Sequence, residues 1–191
     1  MNDLDHYTQK ASKDGHPPKP GIILGIRMCL LALQQLKISD VTAHKRSLIV
    51  VVETDRCLPD AVQLVTGCRL GNRTLKLRDM GKMAATFVDM KKDRALRLAG
   101  RESANTNAAE QFPTLTKEEA LSRAYHTASD DELFHAEWVR VHLDPADLPG
   151  HRVPRVICEQ CGEGIGFHRE VRIAGRVLCR ACAGERYYDP L

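Results

Sequence analysis

The chain has no apolar run near the roughly 20 residues that a membrane-spanning helix needs. Stretches such as residues 22–24 and 48–52 are far too short. A helical membrane protein is therefore excluded. The first residues, MNDLDHYTQKASKDGH, lack the apolar segment of an export signal, so a cytoplasmic location is the default expectation. Neither sign of charge dominates: 28 Lys and Arg stand against 25 Asp and Glu, with no polybasic run. Binding to nucleic acid or an acidic membrane driven by net charge alone is not expected. What the chain does have is an ordinary globular balance, 43% hydrophobic and 28% charged residues over 191 positions, enough for one substantial domain and a small one. Its seven cysteines are odd in number and four fall in two CxxC pairs, which suits a reducing compartment and metal ligation better than disulfides.

The organising stretch is IVVVETDRCLPDAVQLVTGCRLGNRTLKLRDMG, residues 49–81. Its β-branched run Leu48–Val52 predicts a buried strand, and Glu53, Asp55 and Cys57 follow where that strand runs out. Strand ends hand over to loops that present chemistry. Residues 59–65 carry Ala61, Val62, Leu64 and Val65 at helical spacing behind Pro59, which predicts a short helix between Cys57 and Cys68.

The remaining elements read in order. Residues 1–14 are polar and predict a mobile start or a helix that needs a partner. The Gly- and Pro-rich segment 15–21, with His16 and Lys19, predicts an extended loop, and the apolar periodicity from Ile22 predicts a long helix with Cys29 in its core face. Residues 74–77, 84–90 and 94–98 predict strands, the last two paired as a hairpin. Residues 100–113 lack periodicity and read as a surface connection. A helix capped near Thr114 to Thr116 runs to about Thr127, a helical turn lies within 130–136, and 138–143 alternates as a final strand. The fold class is thus α+β: a mixed helix and antiparallel-sheet domain over 1–145, a Pro- and Gly-containing linker over 146–154, and a small treble-clef-like zinc finger over 155–191.

The finger rests on Cys158, Cys161, Cys179 and Cys182. Two CxxC pairs separated by seventeen residues have the spacing of a structural zinc site, and a unit this small needs such a staple. Six arginines, at 155, 169, 172, 176, 180 and 186, admit contact with a nucleic-acid backbone. Without a base-reading helix or stacking aromatics, a protein-docking module is the preferred reading. A second set is dispersed: His16, Lys19, Glu53, Asp55, Cys57, Cys68, Asp79 and Lys82. No local spacing joins them, and turns and caps account for such residues more simply than a second metal site does.

GIILGIRMCLLAL, followed by VVETDRCLPDAVQLVTGCRLGNRTLKLRDMGKMAATF, resembles the FmdE family of formylmethanofuran dehydrogenase systems, whose members often carry a C-terminal zinc finger. The ETD-x-C, DA-x-Q, TGC-x-LG and GK-x-A-x-x-F elements occur in order, and the likeness covers about residues 14–100. It implies a homodimer with a cleft that holds metal or a small molecule, and a role in formate or one-carbon metabolism as an accessory protein or an enzyme of unspecified reaction. It points to His16 and Cys57 first, with Asp55, Asp60, Gln63 and Cys68 around them as cleft residues, and Lys19 and Lys82 of the dispersed set complete the candidate cleft. The family loop usually reads His-Gly-His-x-Cys-Pro-Gly, whereas here Asp14 replaces the first His and Lys19 the Cys. A cation in place of a thiolate weakens a site for a second divalent metal. The competing function is a regulator or adaptor whose finger binds nucleic acid or protein.

Overall fold

A computed structural model describes residues 3–151 and 153–189, which fall into two units, 1–141 and 142–191. In the first, Leu48–Val52 is strand β1, as its β-branched run requires. It pairs in parallel with β2 (Leu75–Leu77) and antiparallel with β3 (Ala84–Asp89). β4 (Arg94–Gly100) and β5 (Phe134–Val139) complete a five-stranded sheet of order β2-β1-β3-β4-β5. The parallel pair departs from a purely antiparallel sheet because a helix, α3 (Leu58–Thr66), links its strands, and parallel neighbours need such a crossover.

Alternate residues of one sheet face, Val50 and Val52 of β1, Phe87 of β3 and Leu96 and Leu98 of β4, are buried in the main core. The long helix α2 (Pro20–Gln35) and α3 supply Ile23, Ile26, Leu58 and Val62 to the same core. α2 starts two residues before the apolar periodicity, since Pro20 at the first helical position needs no N–H donor there. Gly25 lets α3 lie close: a Cβ built on it would stand 2.6 Å from Ala61 Cβ.

Residues 3–11 form helix α1 (Asp3–Ala11), whose Leu4, Tyr7 and Ala11 pack on the core at helical spacing. Residues 102–111 are also helical, as α4 (Glu102–Gln111), and not a surface connection. Its apolar stripe is only Ala104 and Ala108, too narrow to register as periodicity. α5 (Lys117–Thr127) and α6 (Asp130–Leu133) start in capping boxes, Thr116 with Glu119 and Ser129 with Glu132. Arg27 of α2 holds this region, donating to the carbonyls of Tyr125 at 2.9 Å and Ala128 at 3.0 Å and to Asp130 at 2.5 Å. The last strand lies earlier than its alternation suggested, because β5 is an edge strand with only Phe134 buried.

The end of β1 is held by an ion pair. Arg97 of β4 donates from Nε to Glu53 Oε1 at 2.7 Å and from Nη2 to Oε2 at 2.8 Å. Hydrogen bonding from Arg97 holds the Glu53 carboxyl below the ordinary range, with Lys82 adding to the effect. A carboxylate depressed in the folded state stabilises above its unfolded pKa, and that contribution disappears as pH falls through the folded value. Glu53→Gln is therefore expected to remove about 1 kcal/mol at neutral pH, since the pair is partly open to solvent. The difference from wild type should shrink below about pH 4.5, the unperturbed value. Urea unfolding of both proteins across that window measures it, and parallel curves would deny the pair its role.

In the second unit, β6 (Val156–Ile157) pairs with β7 (Gly164–Ile165), and β8 (Val171–Ile173) with β9 (Arg176–Leu178). Glu159 N–H donates to the Val177 carbonyl at 2.9 Å and ties the hairpins together. Only a short helical segment, Ala181–Glu185, follows, interrupted at Gly184 with φ 108°. The buried cluster between the hairpins is Cys158, Ile165 and Leu178.

Candidate metal centre and ligand cleft

The two hairpins converge on four thiols. The sulfurs of Cys158, Cys161, Cys179 and Cys182 all lie within 4.8 Å of one another, and Cys161 and Cys179 are 3.9 Å apart. A tetrahedral zinc with Zn–S near 2.3 Å sets its sulfurs about 3.8 Å apart, so the cluster fits one thiophilic divalent ion. The backbone is arranged for thiolates. Cys179 N–H donates to Cys158 Sγ at 3.2 Å, and Cys182 N–H to Cys179 Sγ at 3.4 Å. Amide donors from Cys161, Cys179 and Gln160 hold the Cys158 thiol down at about 6, against its burial. Cys182 is pushed upward, chiefly by its hydrogen bond with Cys179, because thiolates this close oppose one another's ionisation. A bound cation reverses that opposition.

The first unit carries an open cleft of about 730 Å³ between α1, α2 and α3. Lys10 and Ala11 come from the end of α1, and Ile22 from α2. Lys13 and His16–Lys19 come from the loop between those helices. Asp14 and Gly15 fold that loop back, with φ of 50° and 77°, the signs a two-residue hairpin turn requires. Lys13 and His16 thus face each other across two backbone hydrogen bonds of 3.2 and 2.8 Å. Arg56 and Cys57 arrive from the end of β1, and Asp60, Gln63 and Leu64 project from one face of α3.

Cys57 has a strained backbone. Its φ of 38° and ψ of −50° are unusual for a residue with a side chain, and Leu58 N–H donates to the Arg56 carbonyl across it, a γ-turn of the rare positive-φ kind. The turn lays the thiol against the start of α2: a Cβ on Gly21 would stand 3.0 Å from Cys57 Sγ. Strain of this kind persists only where surrounding structure fixes it, and it concentrates at functional sites.

The structure brings His16, Lys19, Cys57, Asp60 and Gln63 around this one cleft. Asp55, Cys68 and Lys82 stand elsewhere. Asp55 is exposed in the turn beyond β1. Cys68 is buried, its Sγ donating to the Leu48 carbonyl at 3.5 Å, and burial raises its pKa. Lys82 stands beside Glu53 at the sheet end. Lys10, Lys13 and Arg56 line the cleft without having been singled out from sequence. The helical spacing of Leu4, Tyr7 and Ala11 is the signal that would have anchored α1 and its lysines there.

A family model described as "FmdE, Molybdenum formylmethanofuran dehydrogenase operon" matches residues 15–144. One described as "Prokaryotic dksA/traR C4-type zinc finger" matches residues 153–188. A probable S-adenosyl-L-methionine-binding protein of Archaeoglobus fulgidus is 30% identical over 195 aligned residues, covering 88% of this chain and 50% of its own length. The chain thus spans about half the length of that curated relative. The crystal structure of a tungsten formylmethanofuran dehydrogenase FmdE-like protein from Syntrophus aciditrophicus matches with a TM-score of 0.65 and 26% identity, over 97% of this chain and 95% of that one. With the first family model spanning most of its length and the fold in agreement, the chain belongs to the FmdE family and ends in a C4-type zinc-finger segment.

Proposed function

We propose that this FmdE-family chain holds a small molecule in the cleft between α1, α2 and α3 and carries structural zinc in its finger. In this reading it serves formate or one-carbon metabolism in the cytoplasm, as a homodimeric accessory protein or enzyme. The observation that carries the proposal is the convergence of His16, Lys19, Cys57, Asp60 and Gln63 from three separate segments on one cavity, beside the strained turn at Cys57. The cleft volume suits an organic ligand. The Archaeoglobus relative's name raises S-adenosylmethionine as a candidate. Its sulfonium and ammonium groups are cations, and this cleft offers one carboxylate, Asp60, among four basic side chains.

The finger supports docking better than nucleic-acid contact. Arg169 pairs with Asp147, Arg172 with Glu170, Arg176 with Glu159 and Arg180 with Glu185. Arg155 donates to the Gly164 carbonyl and Arg186 stacks on Tyr188. Arginines engaged in this way are poorly free to replace counterions on phosphates. Exposed Ile157, Ile173 and Tyr187 suit a protein partner instead.

The test is thermal unfolding of the zinc-loaded full chain with formate, N-formyl compounds and S-adenosylmethionine. A one-carbon ligand at about a hundred times its Kd should add about 2.7 kcal/mol. The gain should vanish in a His16→Ala, Gln63→Ala variant. No response to any one-carbon compound, with a salt-sensitive mobility shift of DNA or RNA, would overturn the reading in favour of a nucleic-acid regulator.

A further inference from the structure

The charge around the cleft is one-sided. Lys10, Lys13, Lys19 and Arg56 line it, against the single carboxylate of Asp60. Lys13, Lys19 and Arg56 have no carboxylate partner among the described residues, and Lys10 lies over the Tyr7 ring, 5.9 Å from its centroid. These cations sit on exposed positions, while Ile22, Cys57 and Leu64 beneath them are half-buried. The chain as a whole is close to neutral, at +3, so the concentration of positive charge here is local.

Unpaired like charges held round one hollow repel one another, and that repulsion is relieved when an anion is bound. A divalent metal meets the opposite situation, since it would add positive charge beside Lys19. From the cationic rim and the half-buried floor, we infer that the cleft is a site for an organic oxyanion. The ligand's carboxylate or phosphate lies among Lys13, Lys19 and Arg56, and its body rests on Ile22, Cys57 and Leu64. The inference deepens the small-molecule reading of the same cleft and rests on it.

Cys57 supplies the reporter. Cys29 and Cys68 are buried and the other four thiols form the metal cluster, so Cys57 is the half-exposed thiol left to alkylate in the zinc-loaded chain. Iodoacetate and iodoacetamide both alkylate it in one way: sulfur attacks the methylene carbon, iodide leaves with the C–I electron pair, and the thiol proton passes to solvent. They differ in charge. At low ionic strength the iodoacetate-to-iodoacetamide rate ratio at Cys57, with the site assigned by peptide mass spectrometry, should exceed that of a free cysteine peptide by about tenfold. High salt should return it to the peptide value, and a Lys19→Glu, Arg56→Glu variant should take it below.

Ligand source is read by protection. Slowing by AMP alone assigns a phosphate ester, and slowing by citrate alone assigns a carboxylate. A peptide-like ratio unaffected by the double variant, or protection by adenosine equal to that by AMP, overturns the inference. The second outcome would leave the small-molecule cleft standing. Conversely, protection by either anion with no response to one-carbon compounds would retain the anion site and remove the one-carbon assignment. Should Cys57 prove inert to both reagents, amide shifts over residues 13–21 on titration with millimolar AMP or citrate decide the matter. Shifts in that loop together with Arg56, Cys57 and Leu64 support the site, and their absence overturns it.

Discussion

Cys158→Ser is expected to cost the chain its bound zinc and, with it, the folded state of residues 142–191. Wild type should hold one zinc per chain by elemental analysis, and a Cys179→Ser, Cys182→Ser variant none. The expectation follows from how little else holds the unit: among its described residues the buried apolar side chains beyond Cys158 are Ile165 and Leu178, on strands of two and three residues, and the small Ala146. So few apolar contacts cannot offset the conformational entropy of ordering the unit, and in domains of this size metal binding and folding are one equilibrium. Amide resonances from His142 onward should collapse to unfolded positions on chelation and return on adding zinc. Retained dispersion after complete metal removal would show that the hairpins fold unaided. The same metal count tests the cleft. Cys57→Ser should leave it unchanged, because a cation-lined hollow opposes a second divalent ion.

The two sites differed in how legible they were, for a physical reason. The thiol quartet is written locally: each CxxC knuckle fixes its own pair, and seventeen intervening residues suffice for a hairpin that returns the second pair. The cleft is written across three segments that only packing joins. Helix α1 read only as a mobile start or a helix in need of a partner, because its apolar positions packed on the core are just Leu4, Tyr7 and Ala11, yet it brings Lys10 to the rim. The strand at Leu48–Val52 was legible from its unbroken β-branched run, and the hairpin of Ala84–Asp89 with Arg94–Gly100 from two strand-like stretches, 84–90 and 94–98, flanking the turn at 91–93. The side-chain directions beyond the strand end were not. Glu53 turns to Arg97 across the sheet and Asp55 to solvent, while Arg56 and Cys57, the latter reversed by a γ-turn, reach the cleft. Sequence gives the order of these residues, while the turn decides which side each one faces.

That geometry depends on how closely α2 and α3 approach, and Gly25→Val is expected to destabilise the protein by about 3 kcal/mol, at the upper end of the overpacking range. The added Cβ would meet Ala61 Cβ at 2.6 Å, Leu58 Cδ1 at 3.4 Å and Leu58 Cα at 3.7 Å. Ala61 Cβ is fixed to a helical backbone and cannot swing aside, so the helices must separate. Gly25→Ala poses the same clash more gently. Alanine is favoured over glycine within a helix by about 1 kcal/mol, so a net loss in that variant would show that the clash outweighs propensity. Ala61→Gly removes the opposing methyl and should recover much of the Gly25→Ala loss, a coupling that a double-mutant cycle isolates. Separation should also be felt one turn earlier, where Gly21 faces Cys57. Widening that contact releases the γ-turn and exposes the thiol, so Gly25→Val should speed iodoacetamide labelling of Cys57 while lowering the urea midpoint. A lowered midpoint with labelling unchanged would mean that the helix seam holds the fold together without setting the shape of the cleft.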